Sequence, residues 1–177
     1  MAKEKKTKYV LLGFLLTESL SGYQLGRLIR EATSHFWQES DASIYPTLKI
    51  LAEEGLVSVE EAFVGRRRKE IFTITAQGRE AFLGWFKREP EPDIHREEFL
   101  LKLFFTDDKT EAEMQKHREE KLAKMRAALK LFEETEKMLI KELPHKPYWL
   151  ETLRIGLAHV ELDIALLTQQ IERRRQC

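Results

Sequence analysis

The sequence predicts a mainly α protein in two parts, a compact mixed N-terminal domain and a purely helical C-terminal one. Three observations carry that expectation. In the first half, helical apolar spacing gives way once, between residues 56 and 75, to strand-like alternation split by a glycine and four consecutive cations. Proline and charge in "REPEPDIHREE" then break the chain. Beyond that break no proline or glycine interrupts residues 109–143, and apolar residues step by three and four almost to the last residue.

The elements follow in order. A basic arm, "MAKEKKTK", precedes "KYVLLGFLLTE", a short apolar helix. The pair superficially resembles a signal peptide, but the apolar run is brief and no small-residue cleavage site follows. Ser21 is a plausible N-cap for "GYQLGRLIREAT", in which Leu25, Leu28 and Ile29 fall at helical spacing. "HFWQE" is an aromatic connector. With Ser43 as cap, "IYPTLKILAEE" forms the next helix, placing Pro46 at its third position and Gly55 just past its end. One β-hairpin follows, with Val57/Val59 and Phe72/Ile74 alternating and Gly65 at the turn. Thr75 then caps "AQGREAFLGWFKRE".

Three helices, a hairpin with a basic tip and a further helix outline a winged helix-turn-helix over residues 1–89. Residues 90–96 are the linker, and residues 97–177 form a helical, coiled-coil-like domain. In its last helix Leu150, Leu153, Leu157, Val160, Ile164, Leu167 and Ile171 make a continuous seam. An intramolecular hairpin would use the same seam. Two helices alone, however, have too little interior to hide Leu131, Phe132, Leu162 and Leu166 as well, which favours homodimerisation through this domain.

Composition restricts the remaining options. The 177 residues carry 30 basic and 30 acidic side chains, so net charge announces no nucleic-acid partner, and only local clustering can. Cys177 is the one cysteine, which excludes a disulfide framework and a thiolate metal site. No segment has the apolar length of a membrane span, and a cytoplasmic location is expected. His35, His95, His117, His145 and His159 have no metal-ligand spacing, and no phosphate-cradling glycine loop or nucleophile elbow occurs. No catalytic residue, metal or cofactor is therefore assigned.

The first domain points to double-stranded DNA. Ile44, Leu48 and Leu51 must face the core, which leaves Tyr45 and Lys49 on the outward side of a helix whose first turn, with Ser43, Pro46 and Thr47, would enter the major groove. Arg66, Arg67, Arg68 and Lys69 repel one another and bring no folding benefit, so their clustering at the hairpin tip favours phosphate or minor-groove contact. Ser21, Tyr23 and Gln24 open the preceding helix and could meet a phosphate there, with Lys3, Lys5, Lys6 and Lys8 adding a loose attraction.

These residues resemble the PadR family of bacterial transcriptional regulators. The likeness runs through "LLGFLLTESLSGYQLGRLI", "HFWQESDASIYPTLKILAEEGLV", "GRRRKEIFTITAQGREAFLGWF" and "PEPDIHREEFLLKLFF". Gly22–Tyr23, Ile44–Tyr45–Pro46 and the glycine-plus-basic wing are its specific parts. The final helices match only in length and amphipathic pattern. The resemblance implies a homodimeric repressor on a palindromic operator, released by a small aromatic acid, as in the phenolic-acid-responsive branch with a long C-terminal domain. The family carries no diagnostic inducer motif. Aromatics near the domain junction and one cation supply the effector candidates: Phe36, Trp37, Phe99, Leu103, Trp149 and Arg154. Two alternatives stand beside this reading: a winged helix used as a protein-interaction module, and a regulator of the same family with no small-molecule inducer.

Overall fold

The computed structural model describes residues 6–64, 67–92 and 96–175. It divides into two compact units, Met1–Pro92 and Asp93–Cys177.

In the first unit α1 (Thr7–Leu15) is apolar nearly all round and buries Tyr9, Leu11, Leu12 and Leu15. The two-residue strand β1 (Leu20–Ser21) leads into α2 (Gly22–Thr33) through a capping box. Ser21 Oγ accepts the Gln24 N–H at 3.3 Å while Gln24 Oε1 accepts the Ser21 N–H at 3.1 Å, so two orphan donors are satisfied reciprocally. Leu25 and Ile29 then point to the core.

The third helix corrects the expected start. α3 spans Asp41–Glu53 with Ser40, not Ser43, at the N-cap, and the Ser43 and Ile44 N–H groups both donate to the Ser40 carbonyl. Pro46 therefore lies at the sixth helical position, where its missing N–H leaves the Ala42 carbonyl without its usual donor. The earlier start is favoured because Asp41 complements the helix dipole and is held by Arg30 at 2.9 Å. At the other end Gly55 adopts φ +69°, with Leu56 N–H donating to Leu51 O and Gly55 N–H to Ala52 O, a complete Schellman motif.

That motif delivers the chain directly into β2 (Val57–Val64), which pairs antiparallel with β3 (Arg67–Ile74). The sheet has three strands in the order β1-β3-β2, one more than the sequence suggested, because β1 pairs Leu20 with Phe72 and Ser21 with Ile71. Two residues are too few to show alternation. Val57, Phe72 and Ile74 are buried, whereas the half of the hairpin beyond Val59 stands clear of the core. α4 (Ala76–Phe86) begins at Thr75, whose hydroxyl accepts the Gly78 N–H at 3.1 Å. Trp85 on this helix stacks on Tyr9 of α1 at 4.7 Å and closes the unit.

The second unit consists of α5 (Glu98–Phe104), α6 (Glu111–Glu142) and α7 (Pro147–Arg175). Ion pairs Glu136–Arg154, Lys121–Asp163 and Glu111–Arg174 run in opposite chain directions, so α6 and α7 form an antiparallel hairpin. The expected seam faces inward within this one chain: Leu153, Leu167 and Ile171 are buried, and Leu150, Leu157, Val160 and Ile164 half-buried. Leu122, Met125 and Phe99 pack with its C-terminal part. Other apolar residues remain exposed, among them Leu131, Ile140, Ile155, Leu162 and Leu166.

Arg118 is only 3% exposed and donates to Glu111 at 2.7 Å. That hydrogen bond, chiefly, and the charges of Arg118 and Arg174 hold the Glu111 carboxyl below the ordinary value of 4.5, against the opposing effect of burial. A lowered carboxylate pKa stabilises the fold above the unfolded-state value and loses that contribution as pH falls through the folded-state value. The helical unit is thus expected to lose thermal stability as pH drops below 4.5. In Glu111→Gln that acid limb should flatten in melts followed by circular dichroism. Glu111→Ala should cost about 2 kcal/mol at neutral pH, because the buried Arg118 guanidinium keeps only the longer 3.4 Å bond to Gln115.

Candidate nucleic-acid interface

The start of α2, the outer face of α3 and the projecting hairpin belong to one unit. Tyr45 is 50% exposed and Lys49 lies free enough that its nearest carboxylate, Glu53, stands 4.0 Å away; Pro46 is exposed beside them. Tyr45 also lies across the start of α2. A Cβ placed on Gly22 would meet its Cε1 at 2.7 Å and Cδ1 at 3.2 Å. Gly22 thus lets the ring of α3 rest on α2, beside the exposed Tyr23. A glycine directly after a capping serine, where alanine would be the better helix former, was the available sequence signal. Gly22→Ala is expected to leave the fold intact, since a ring edge can swing aside, while moving Tyr45. A shift in the Tyr45 ring resonances without loss of melting temperature would register it.

Two expected contact residues are turned inward. Ser21 is buried and its hydroxyl donates to Gln24 Oε1 at 2.8 Å, so the capping box uses both side chains locally. Thr47 is buried, and its hydroxyl donates to the Ser43 carbonyl at 2.6 Å, one turn back along the helix. Ser43 itself is half-buried and bonded to Glu39. Of these hydroxyls only that of Ser43, inside α3 and not at its cap, reaches the connector, through Glu39.

The cationic run is also redistributed. Arg67, Arg68 and Lys69 lie within β3, opposite Val64, Phe63 and Ala62, with Arg67 the first residue of the strand. Strand period two sends Arg68 and Lys69 to opposite faces. Arg68 is exposed and paired with Glu61 at 2.5 Å. Gly65 and Arg66, like Lys3 and Lys5, lie outside the described residues.

The six effector candidates do not form one site inside either unit. Phe36 is exposed in the connector between α2 and α3, and Trp37 donates its indole N–H to Glu39 at 2.8 Å. In the second unit Phe99 lies under Lys121, with Nζ 4.6 Å from its centroid, and packs against the cluster of Leu122, Leu167 and Ile171; Leu103 is half-buried. Trp149 sits at the opposite end of α7, more than about 20 Å from Ile164 at 1.5 Å per residue. The Arg154 guanidinium is already engaged by Glu136 at 2.7 Å. Among the described residues no group of three His, Cys, Asp or Glu side chains could hold a metal ion, and no helix is long and apolar enough to cross a membrane.

A short helix pair with a capped junction, an exposed helix face and a projecting charged hairpin defines a winged helix-turn-helix of the kind found in transcription regulators. Residues 11–83 match the transcriptional regulator PadR-like family, and residues 95–176 match the family described as virulence activator alpha C-term. Residues 11–83 are thus a PadR-like regulator domain. The negative transcriptional regulator PadR of Bacillus subtilis (strain 168) is 34% identical over 100 residues, 55% of each chain, so the match spans about half the length of that relative. The crystal structure of B. subtilis PadR in complex with operator DNA aligns with a TM-score of 0.86 at 25% identity, over 96% of this chain and 99% of that one. The same protein in complex with p-coumaric acid aligns at 0.75 and 25% identity, over 96% and 98%.

Proposed function

We propose that the protein is a homodimeric, sequence-specific DNA-binding repressor of a palindromic operator, released by a small aromatic acid. The observation that carries this is the placement of Tyr45 and Lys49 on the outward face of the second and third turns of α3, in the unit from which the charged hairpin projects. In this reading α3 enters the major groove, Tyr45 and Lys49 read base edges, and Arg68, Lys69 and their neighbours follow the backbone. Two copies of α3 would be held about 34 Å apart, to meet successive major grooves on one face of the duplex. The exposed apolar face of α6 and α7 supplies the contact between copies. The operator and p-coumaric acid complexes of B. subtilis PadR are the precedents for both ligands. An inducer acts only as far as it prefers the non-binding state, so operator and acid should each weaken the other's binding.

The test is a gel shift on the DNA upstream of the protein's own gene, with and without p-coumarate. A discrete shift abolished by the acid supports the whole proposal. A shift indifferent to the acid retains the repressor and discards the aromatic inducer. Smearing alone at low salt favours a winged helix that binds protein instead. Within a working assay, replacing Arg66, Arg67 and Arg68 by alanine should weaken all sequences alike and flatten the salt dependence by about one unit per lost phosphate contact. Tyr45→Ala and Lys49→Ala should instead lower discrimination, and a folded variant with unaltered discrimination would remove that role.

A further inference from the structure

The base-facing end of α3 is locally weak. Its N-cap, Ser40, makes no side-chain capping bond, and Pro46 removes a hydrogen bond from the second turn. Contacts from outside the helix must fix where it begins: Arg30 holds Asp41, and Glu39 is placed to anchor the first turn as well. Its Oε1 accepts the Trp37 indole N–H at 2.8 Å. Its Oε2 accepts the Thr7 hydroxyl at 3.0 Å and the Ser43 hydroxyl at 2.8 Å, the latter shared with the Ser40 carbonyl at the same distance. Thr7 is buried at the first turn of α1, so one carboxylate joins the central helix of the unit, the aromatic connector and the third residue of α3.

We propose that Glu39 is a positioning residue that sets the start of the recognition helix, through Trp37, Thr7 and Ser43, and thereby governs operator discrimination. The role rests on the DNA-binding reading above. Its chemistry predicts which substitution is tolerated. The indole is a donor only, so one oxygen must face Trp37, but the two hydroxyls can reverse and accept. Glutamine can therefore reproduce the junction with its carbonyl on Trp37 and its amide on Thr7 and Ser43, whereas alanine cannot.

The experiment compares full-length wild type, Glu39→Ala and Glu39→Gln. Operator and scrambled-duplex affinities are measured alongside amide hydrogen exchange of the DNA-free proteins. Glu39→Ala is expected to lose about tenfold in the operator-to-scrambled ratio, the size of one mismatched base pair, with scrambled-duplex affinity unchanged or raised. Exchange at the Ser43 and Ile44 amides should quicken in this variant alone, and Glu39→Gln should behave as wild type. Equal changes in both variants would reduce Glu39 to its charge and overturn the role. A parallel fall in both affinities with a lowered melting temperature would make it merely structural, and unchanged exchange would show that it anchors nothing. If wild type discriminates no DNA, both readings fall. If wild type discriminates and Glu39→Ala does so equally, only the role of Glu39 falls.

Discussion

Replacing Leu162 and Leu166 together by glutamate is expected to convert a dimer into a monomer and to lower operator affinity about a thousandfold, the usual scale of lost bivalency. Leu162 is 56% exposed and Leu166 only slightly less, one turn apart on α7. Ile155, two turns before Leu162, is exposed as well, as is Leu131 on α6. An apolar stripe of this extent on a chain with many charges is the surface a second copy would cover. The substitutions do not touch the inward residues Leu153, Leu167 and Ile171, so the α6–α7 hairpin should persist. Sedimentation velocity together with operator titration separates the outcomes. A monomeric wild type would remove the dimer, and a variant that stays dimeric and keeps its affinity would place the contact elsewhere.

The second large effect is on stability. A Cβ on Gly78 would lie 2.1 Å from the Leu56 carbonyl oxygen and 2.9 Å from Ile74 Cγ1. The carbonyl is backbone, fixed where the Schellman turn passes into β2, and Thr75 Oγ1 donates to the adjoining Gly55 and Leu56 carbonyls at 2.8 and 3.1 Å. It cannot move aside. Gly78→Ala must push α4 off the sheet, and a loss of about 3 kcal/mol is expected, well above the ~1 kcal/mol that alanine gains in helix propensity. Gly84→Ala on the same helix meets nothing within 4 Å and should stabilise by about 0.5–1 kcal/mol. Urea melts of the two variants should therefore move in opposite directions. A neutral Gly78→Ala would mean that α4 does not rest on the α3–β2 junction.

Features set by neighbouring residues were readable in advance: the caps at Ser21 and Thr75, the glycine at 55, and the alternation of Val57/Val59 against Phe72/Ile74. Features set by partners distant in sequence were not. The start of α3 was read from Pro46, because proline usually marks a first turn. The Arg30–Asp41 pair and the Glu39 bonds that draw the helix back to Asp41 come from residues whose neighbours only the fold reveals. β1 was invisible because two residues carry no period. The seam of α7 was correctly apolar, yet periodicity cannot say whether its complement is α6 or another molecule. Nor could the sequence show the local partners of the effector candidates, Phe99 packing in the helical core and Arg154 pairing with Glu136.

The projecting hairpin also bears on how the protein behaves in bulk. β2 is an edge strand along its whole length, and β1 covers β3 only at Ile71 and Phe72, so the distal half offers open backbone on both sides. Such edges invite strand addition between molecules, the first step of β-aggregation. Glu60 and Glu61 on one strand and Arg68, Lys69 and Glu70 on the other place charge along both edges, guarding the exposed Phe63 between them. Charge on the wing thus protects solubility as well as serving any partner. Variants that neutralise it should be compared at low protein concentration, where lost affinity and self-association can be told apart.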